Sequence, residues 1–254
     1  MRALLLSAGF GSRLQPITNT IPKCLVPIHG VPLLEIWLSR IFNFGVERTV
    51  INLHHLAAPV RRFIENCPWR DQIDLFDEPV LLGTGGTLCA TRKMLGDGPI
   101  LVIHSDNLSN IDLKVFCSAH LNRPSRCIMT MALFNTDAPN SCGIVELDAE
   151  RRVIAMHEKI ENPPGKLANA AIYIMEPEVL DFTQKIKTEY IDISTNVIPD
   201  LMGRIYSYQI NGYHRDIGSP SALEQAHLDI TAPQILDFMA SNEEGPYGKL
   251  STRW

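Results

Sequence analysis

The amino-acid sequence predicts an α/β protein with a mixed, mostly parallel central sheet. Three observations carry that expectation. Short apolar runs alternate with helix-length segments through the first half of the chain, the pattern of parallel strands joined by crossover helices. Two further runs flank Asp148-Ala149-Glu150-Arg151, a turn-forming tetrapeptide, so a hairpin adds antiparallel pairing. Hydrophobic residues make up 45% of the 254 and charged residues 20%, enough apolar surface to fill a core and too much for a disordered chain.

The elements follow in order. Residues 3–6 are a short apolar run that stops at Ser7-Ala8-Gly9-Phe10-Gly11-Ser12, which reads as a buried strand feeding a glycine loop. Pro16, Pro22 and Pro27 keep the next stretch from being a regular helix. Residues 33–44 have helical apolar spacing and stop at Gly45, a C-terminal glycine. Residues 49–53 read as a strand, 57–64 as a helix and 73–76 as a third strand. Gly83-Thr84-Gly85-Gly86 opens a helix that ends near Gly96. Residues 100–104 form a strand that delivers Asp106 at its end, and Asp112 caps the following helix. Strands are expected at 127–134, 144–147, 153–157 and 168–175, then a short helix from Pro177. Late strands at 204–210 and 215–217 precede a helix over 220–228. One domain over 1–230 is expected, with a C-terminal extension over 231–254 that is helical and then irregular around Gly245-Pro246-Tyr247-Gly248.

Charge and composition exclude some functions. With 23 Lys+Arg against 28 Asp+Glu, the net charge of -5 argues against a general binder of nucleic acid or anionic membrane, while leaving room for a local phosphate site. The longest stretch without Asp, Glu, Lys or Arg is thirteen residues, 79–91. A membrane-spanning helix needs roughly 18 apolar residues, so none is expected. The first residues begin like a signal peptide, but the apolar run is short and enters the glycine loop. Six cysteines lack any C-x-x-C pair and read as thiols of a reducing, cytoplasmic setting rather than as a disulfide framework or zinc site. His54, His55 and His104 lack carboxylate or thiol partners at ligand spacing, so no transition-metal cluster is expected.

The chemistry centres on Gly9-Phe10-Gly11-Ser12-Arg13-Leu14, then Pro16 and Pro22-Lys23. Glycines after a strand let backbone approach a ligand and aim N–H groups at phosphate oxygens. Arg13 offers a bidentate fork to phosphate, and Lys23 a compact positive charge. The alternative is a glycine turn beside two solvated cations. A Walker loop is absent, since no G-x-x-x-x-G-K-[ST] occurs here. The dinucleotide fingerprint fails too, because Leu14 stands where its third glycine belongs and prolines follow. Asp106 ends an apolar strand and Asp216 lies in His214-Arg215-Asp216-Ile217-Gly218. Such carboxylates suit Mg²⁺, although a lone Asp is more often a turn or capping residue.

These segments resemble the sugar-1-phosphate nucleotidyltransferases. Their signature G-x-G-x-R-[LM]-x-P, then P-K and P-[IV], is met by Gly9-Phe10-Gly11-Ser12-Arg13-Leu14-Gln15-Pro16, Pro22-Lys23 and Pro27-Ile28. The chain is most similar to the short bacterial mannose-1-phosphate guanylyltransferases, through Leu81-Leu82-Gly83-Thr84-Gly85-Gly86, His104-Ser105-Asp106-Asn107, Ser141-Cys142-Gly143-Ile144 and His157-Glu158-Lys159. The resemblance implies a Rossmann-like three-layer, glycosyltransferase-A-like fold and Mg²⁺-dependent transfer from a nucleoside triphosphate, GTP favoured, to a sugar 1-phosphate. It implies catalytic roles for Arg13 and Lys23 and Mg²⁺ ligation by Asp106 and Asp216. It places the nucleotide on Leu6, Ala8, Gly9, Gly11, Ser12, Glu78, Gly83, Thr84 and Gly85, and the sugar phosphate on Gly143, Glu158, Lys159 and Asn169. Glu78 leans toward guanine, because a carboxylate accepts from N1–H and N2–H together; a solvated Glu before Pro79 is the alternative. Three departures stand out: Ser105 and Ala171 replace family glycines, and Ile160 replaces the proline of Glu-Lys-Pro. The partners implied are small molecules, with neither nucleic acid nor membrane, and a homo-oligomer is compatible with the pattern. Heptose 1-phosphate with GTP, N-acetylmuramate 1-phosphate with UTP, phosphocholine with CTP, and a non-catalytic nucleotide-sugar sensor remain alternatives. A large hexapeptide-repeat acyltransferase domain is not expected after the last matched segment.

Overall fold

A computed structural model describes residues 1–240 of the chain. In chain order the elements are β1 (Arg2–Leu6), β2 (Pro27–Ile28), β3 (Val31–Pro32), α1 (Leu33–Asn43), β4 (Arg48–Leu53), α2 (Ala57–Glu65), β5 (Ile73–Asp77), α3 (Thr84–Ala90) and α4 (Arg92–Leu95). They continue with β6 (Ile100–His104), β7 (Asn107–Ser109), α5 (Leu113–Leu121), β8 (Met129–Asn135), β9 (Gly143–Leu147), β10 (Val153–Glu158), β11 (Leu167–Met175), α6 (Glu178–Thr183), β12 (Ile205–Gln209), β13 (His214–Asp216), α7 (Pro220–Asp229) and α8 (Ala232–Ala240). The expected mixed, mostly parallel sheet with flanking helices is present. The residues group into two compact units, the first holding Met1–Leu81, Ile103–Lys114 and the residues from Gly212, the second Leu82–Val102 and Val115–Asn211.

Part of the sheet order is β6-β1-β4-β5, with β1, β4, β5 and the end of β6 in the first unit. β1 and β4 run parallel with Leu4 opposite Val50, and β4 and β5 run parallel with Asn52 opposite Phe76. β1 and β4 carry apolar residues on both faces and are almost wholly buried, as strands covered by helices are, with Thr49 and Asn52 the buried polar residues of β4. Two small antiparallel pairs, β7 with β13 and β2 with β3, complete this unit. α8 docks here: Ile235 and Phe238 share a cluster with Ile28, Leu33, Ile36, Leu108 and Ile217. The buried Arg40 guanidinium fixes α8 by donating to the Phe238 carbonyl at 2.6 Å. The irregular stretch expected at 245–248 lies outside the described residues.

In the second unit β9 and β10 form the expected hairpin, with Arg151 in the left-handed region at φ 61. β11 pairs antiparallel with β8, and β8 pairs parallel with β12. The helix expected from Gly83 to Gly96 is broken at Thr91, whose hydroxyl donates back to the Thr87 carbonyl at 2.8 Å. Such back-bonding bends helices.

Candidate active site

The first unit gathers its chemistry at one edge. β1, β4, β5 and β6 end at Leu6, Leu53, Asp77 and His104. The Ser105 amide donates to the Leu6 carbonyl at 3.1 Å, which brings the ends of β6 and β1 side by side. The carboxyl ends of such strands are where open α/β sheets hold ligands.

The loop after β1 is built to present backbone. Gly11 has φ 64, and a Cβ there would meet the Thr18 side chain at 2.8 Å, so only glycine fits. The Gly11 carbonyl accepts from the Leu14 amide at 2.9 Å and the Thr18 hydroxyl at 2.7 Å, which locks the turn. A Cβ at Gly9 would meet nothing within 4 Å, so no internal packing demands a glycine there. Among the described residues, the amides of Gly9, Phe10, Gly11, Ser12 and Arg13 donate to no protein acceptor. Successive unbonded amides in a turn of this kind form an anion-binding concavity.

Four charged side chains stand beside the loop. Lys23 Nζ lies 2.5 Å from Asp106 Oδ2 and 3.3 Å from Asp216 Oδ1, and Arg13 Nη2 lies 3.5 Å from Asp216 Oδ2. The two aspartates are far apart in sequence. They meet because β7 and β13 pair antiparallel, with Asp216 opposite Asn107, and because the Ile217 amide donates to the Asp106 carbonyl at 3.0 Å. Burial presses the Lys23 pKa down, but Asp106 and Asp216 outweigh it and hold it above the ordinary lysine value. Burial likewise pushes Asp106 upward, yet Lys23 and His104 outweigh it and keep its carboxyl below the usual range. Both groups are therefore charged near neutrality.

The donor set suits a hard divalent cation. Two carboxylates already converge on one cationic atom, Nζ of Lys23, and both offer oxygen. No group of three or more His, Cys, Asp or Glu residues arranged for a metal occurs among the described residues. Two carboxylates suffice for Mg²⁺, which keeps waters and binds substrate phosphate in its remaining positions.

One position at the candidate site lies outside the sequence expectations. A Cβ at Gly218 would meet Asp216 Oδ2 at 2.7 Å and Arg13 Nη2 at 2.9 Å. Gly218 thus makes room for the Arg13–Asp216 pair. The Asp-Ile-Gly spacing was visible, but the crowding that requires glycine was not.

Leu6, Ala8 and Ser12 lie on or beside the loop, and Glu78 follows β5. Glu78 is not a solvated residue. Its side chain is 3% exposed and accepts from Asn52 Nδ2 at 2.8 Å. Asn52 Oδ1 in turn accepts from the Ser7 amide at 2.6 Å. Ser105 Oγ donates to the Leu6 carbonyl at 2.9 Å and lies 2.8 Å from Ser7 Oγ. With the Ser105 proton on Leu6, Ser7 is the donor between the two hydroxyls. A buried polar chain therefore ties the Asp106 strand end, the start of the glycine loop and Glu78 together.

The second unit carries the remaining candidates. Gly83, at φ 77, opens α3, and the Gly85 and Gly86 amides both donate to the Ile191 carbonyl at 2.8 and 3.2 Å. Thr84 Oγ1 donates to Asp192 Oδ2 at 3.0 Å. These glycines pack against the chain's own backbone at Ile191, which leaves Gly85 N–H engaged within the fold. Gly143 lies opposite Glu158, and a Cβ there would meet the Glu158 carboxylate. Lys159 has φ 52 and pairs with Glu158 Oε1 at 3.1 Å. Asn169 Nδ2 donates to the Tyr173 hydroxyl at 2.8 Å, and Asn169 Oδ1 accepts from the Ala171 amide at 2.9 Å. Ala171 sits at φ 53, the left-handed conformation a glycine takes without strain. No helix among the described residues is long and apolar enough to cross a membrane.

The chain is similar to known proteins. A mannose-1-phosphate guanylyltransferase of Mycobacterium tuberculosis is 31% identical over 233 residues, covering 90% of this chain and 64% of the relative. The chain thus spans less than two thirds of that relative's length. Among solved structures, a Bacillus anthracis protein assigned as a glucose-1-phosphate thymidylyltransferase, in complex with a sucrose, superposes with a TM-score of 0.81 at 19% identity, covering 93% of this chain and 99% of that one. HddC from Yersinia pseudotuberculosis, complexed with GMP-PN, gives 0.75 at 22% identity, covering 91% and 99%. At these identities the solved structures establish the shared fold. The family pattern described as nucleotidyl transferase runs from residue 2 to 233, taking in the glycine loop, both aspartates and Lys159, and the chain belongs to that family.

Proposed function

We propose that the protein transfers a nucleotidyl group from a nucleoside triphosphate to a sugar 1-phosphate, forming a nucleotide-diphosphate sugar and releasing pyrophosphate. The carrying observation is the run of unbonded amides from Gly9 to Arg13 beside the Lys23–Asp106–Asp216 cluster. Arg13 and Lys23 balance Asp106 and Asp216, so the four side chains together are neutral. A neutral cluster does little to attract a polyphosphate. A divalent ion held by Asp106 and Asp216, Mg²⁺ by its oxygen preference, would supply the missing positive charge and polarise the phosphate oxygens.

The chain's own groups do the rest. The loop amides hold phosphate oxygens in place, where backbone donors need no reorganisation. Arg13 is 67% exposed on its side chain and swings onto the charge that develops on the departing pyrophosphate. Lys23, better buried, neutralises charge from a fixed position. The sugar phosphate needs no general base, because a phosphate monoester is already ionised near neutral pH. Lys159 is the candidate to steer it. Positioning and charge neutralisation of this kind are what nucleotidyl and phosphoryl transfer require.

GTP and mannose 1-phosphate, or a related sugar, are the favoured substrates, supported by the Mycobacterium relative and by a buried carboxylate, Glu78, after β5. The test is a matrix of four nucleoside triphosphates against several sugar 1-phosphates, with and without Mg²⁺, read by pyrophosphate release. The expected result is metal-dependent release, highest with GTP. Release in no combination overturns the proposal.

A further inference from the structure

Phe10 is the apolar residue of the glycine loop, and it is not buried. It is 51% exposed, although it stands between Gly9 and Gly11. Its ring meets His54 edge-on at a centroid distance of 5.4 Å and an interplanar angle of 84°, and His55 at 5.5 Å and 51°. Both histidines follow directly on β4, and both are partly exposed. The three rings form an aromatic surface that neither the core nor the phosphate chemistry explains.

The strand order gives that surface its meaning. Across the edge in the sequence β6-β1-β4-β5, the strand ends carry Asp106, then the glycine loop, then His54 and His55, then Glu78. Three strand spacings separate the ends, about 14 Å in all. A ligand whose phosphates lie on the loop amides, and whose other end extends toward Glu78, crosses β4 and therefore the Phe10–His54–His55 surface. The group beyond the phosphates in a nucleoside triphosphate is a nucleoside.

His54 adds polarity of a defined sign. Its Nδ1 lies 2.7 Å from the Glu78 carbonyl oxygen, which can only accept, so Nδ1 carries the proton. In the neutral ring Nε2 is then an acceptor, and among the described residues nothing is bonded to it. An acceptor beside an aromatic face matches a base that offers both a π-surface and N–H donors.

We infer that Phe10, His54 and His55 form a nucleobase-binding surface, Phe10 stacking on the base and His54 Nε2 accepting from it. The inference rests on the nucleotidyl-transfer reading and extends it to residues outside the glycine, lysine and aspartate set. Stacking of a base on an aromatic side chain supports an expected loss of about tenfold in nucleotide affinity on truncation.

Isothermal titration of the wild-type protein, Phe10→Ala and His54→Asn with GTP, and separately with inorganic tripolyphosphate, tests it in the presence of Mg²⁺. Phe10 is exposed, so its truncation leaves the fold intact, and Asn at 54 preserves a donor toward the Glu78 carbonyl but is too short to put an acceptor where Nε2 stands. Phe10→Ala is expected to weaken GTP about tenfold and His54→Asn about fivefold. Tripolyphosphate, which has no base, is expected to bind all three proteins within twofold. Equal GTP affinity in wild type and Phe10→Ala overturns the aromatic site while leaving nucleotidyl transfer standing. Equal weakening of both ligands also overturns it, by showing that Phe10 acts through the loop. Wild-type protein that binds neither ligand overturns nucleotidyl transfer itself and this surface with it.

Discussion

Lys23→Met separates two roles of one ammonium group. Nζ sits at 2.5 Å from Asp106 and 3.3 Å from Asp216, between the two carboxylates that a divalent ion would use. A hydrogen bond to a charged group contributes about 1.5–3 kcal/mol net. Asp216 is half exposed, so solvent screens its share, and the pair of contacts together is worth about 1–3 kcal/mol. Methionine keeps the buried stem and removes the charge. The variant is expected to unfold a few degrees lower than the native protein without metal, at roughly 2–4 °C per kcal/mol for a chain of this size. Added Mg²⁺ should then stabilise the variant more than the native protein, because the ion no longer competes with an ammonium. A competition worth about 1.4 kcal/mol corresponds to tenfold tighter Mg²⁺ binding. Turnover should nevertheless fall by about a hundredfold or more, since a fixed charge at the phosphates is lost. Thermal unfolding across a Mg²⁺ titration of both proteins reads the first effect directly. A Mg²⁺ midpoint in Lys23→Met equal to or weaker than the native one refutes the idea that lysine and metal share the site.

Three further outcomes follow from other groups. Arg13→Ala removes a side chain that is 67% exposed, so stability should change by no more than about 0.5 kcal/mol while turnover drops about 10²-fold; near-native turnover removes Arg13 from the chemistry. Ala171→Gly relieves a left-handed residue, a strain of about 1–2 kcal/mol, against an unfolded-state entropy loss of about 0.4–1 kcal/mol, and calorimetry should show a net gain of about 0.5–1 kcal/mol; a destabilised variant refutes that balance. His120 is buried, and burial holds its pKa below the ordinary value although Glu176 at 3.2 Å pulls the other way. Its neutral form is the folded form, so stability is full above about pH 6.5 and falls as the unfolded chain takes up the proton below it, by at most about 1.4 kcal/mol per pH unit. Denaturant unfolding of His120→Gln between pH 7 and 5 should lose that slope, and an unchanged slope assigns the acid sensitivity elsewhere.

The elements that could be read from sequence are those whose signal is local. β1, β4 and β6 are apolar runs bounded by glycine, proline or a polar residue, and their bounds moved by a residue at most. The loop glycines, Arg13 and Lys23 lie within one stretch of fifteen residues, 9–23, and the structure brings Arg13 and Lys23 together with Asp106 and Asp216. What stayed hidden depends on distant partners. β7 is three residues with two polar side chains, and it is a strand only because β13 pairs with it from across the sequence. Gly218 looks like any loop glycine until Arg13 and Asp216 crowd it. The burial of Glu78 could not be read, because nothing near it in sequence announces Asn52 as its partner. Nothing near Gly85 in sequence announces that its amide donates to the Ile191 carbonyl.

Ser105 stands where the sequence resemblance expects a glycine, and its hydroxyl makes contacts a glycine cannot. A glycine before the aspartate would leave only the backbone contact from residue 105 to Leu6. The serine hydroxyl adds a second bond to the Leu6 carbonyl and accepts one from Ser7, with the side chain 1% exposed. Each such bond contributes about 1 kcal/mol net, and leaving one unmade in a buried setting costs more. Asp106 is then held from both sides, by Ser105 before it and by the Ile217 amide on its own carbonyl. Ser7 is held likewise, by Asn52 on its amide and Ser105 on its hydroxyl. The unbonded amides from Gly9 to Arg13 begin immediately after this pinned segment. In an exposed loop such amides can bond to solvent, so they carry little penalty, and the hydrogen bonds at Ser7 and Ser105 hold the strand end from which they depart. A loop that is exposed and unpaired but fixed at its root can receive an anion without first having to be ordered.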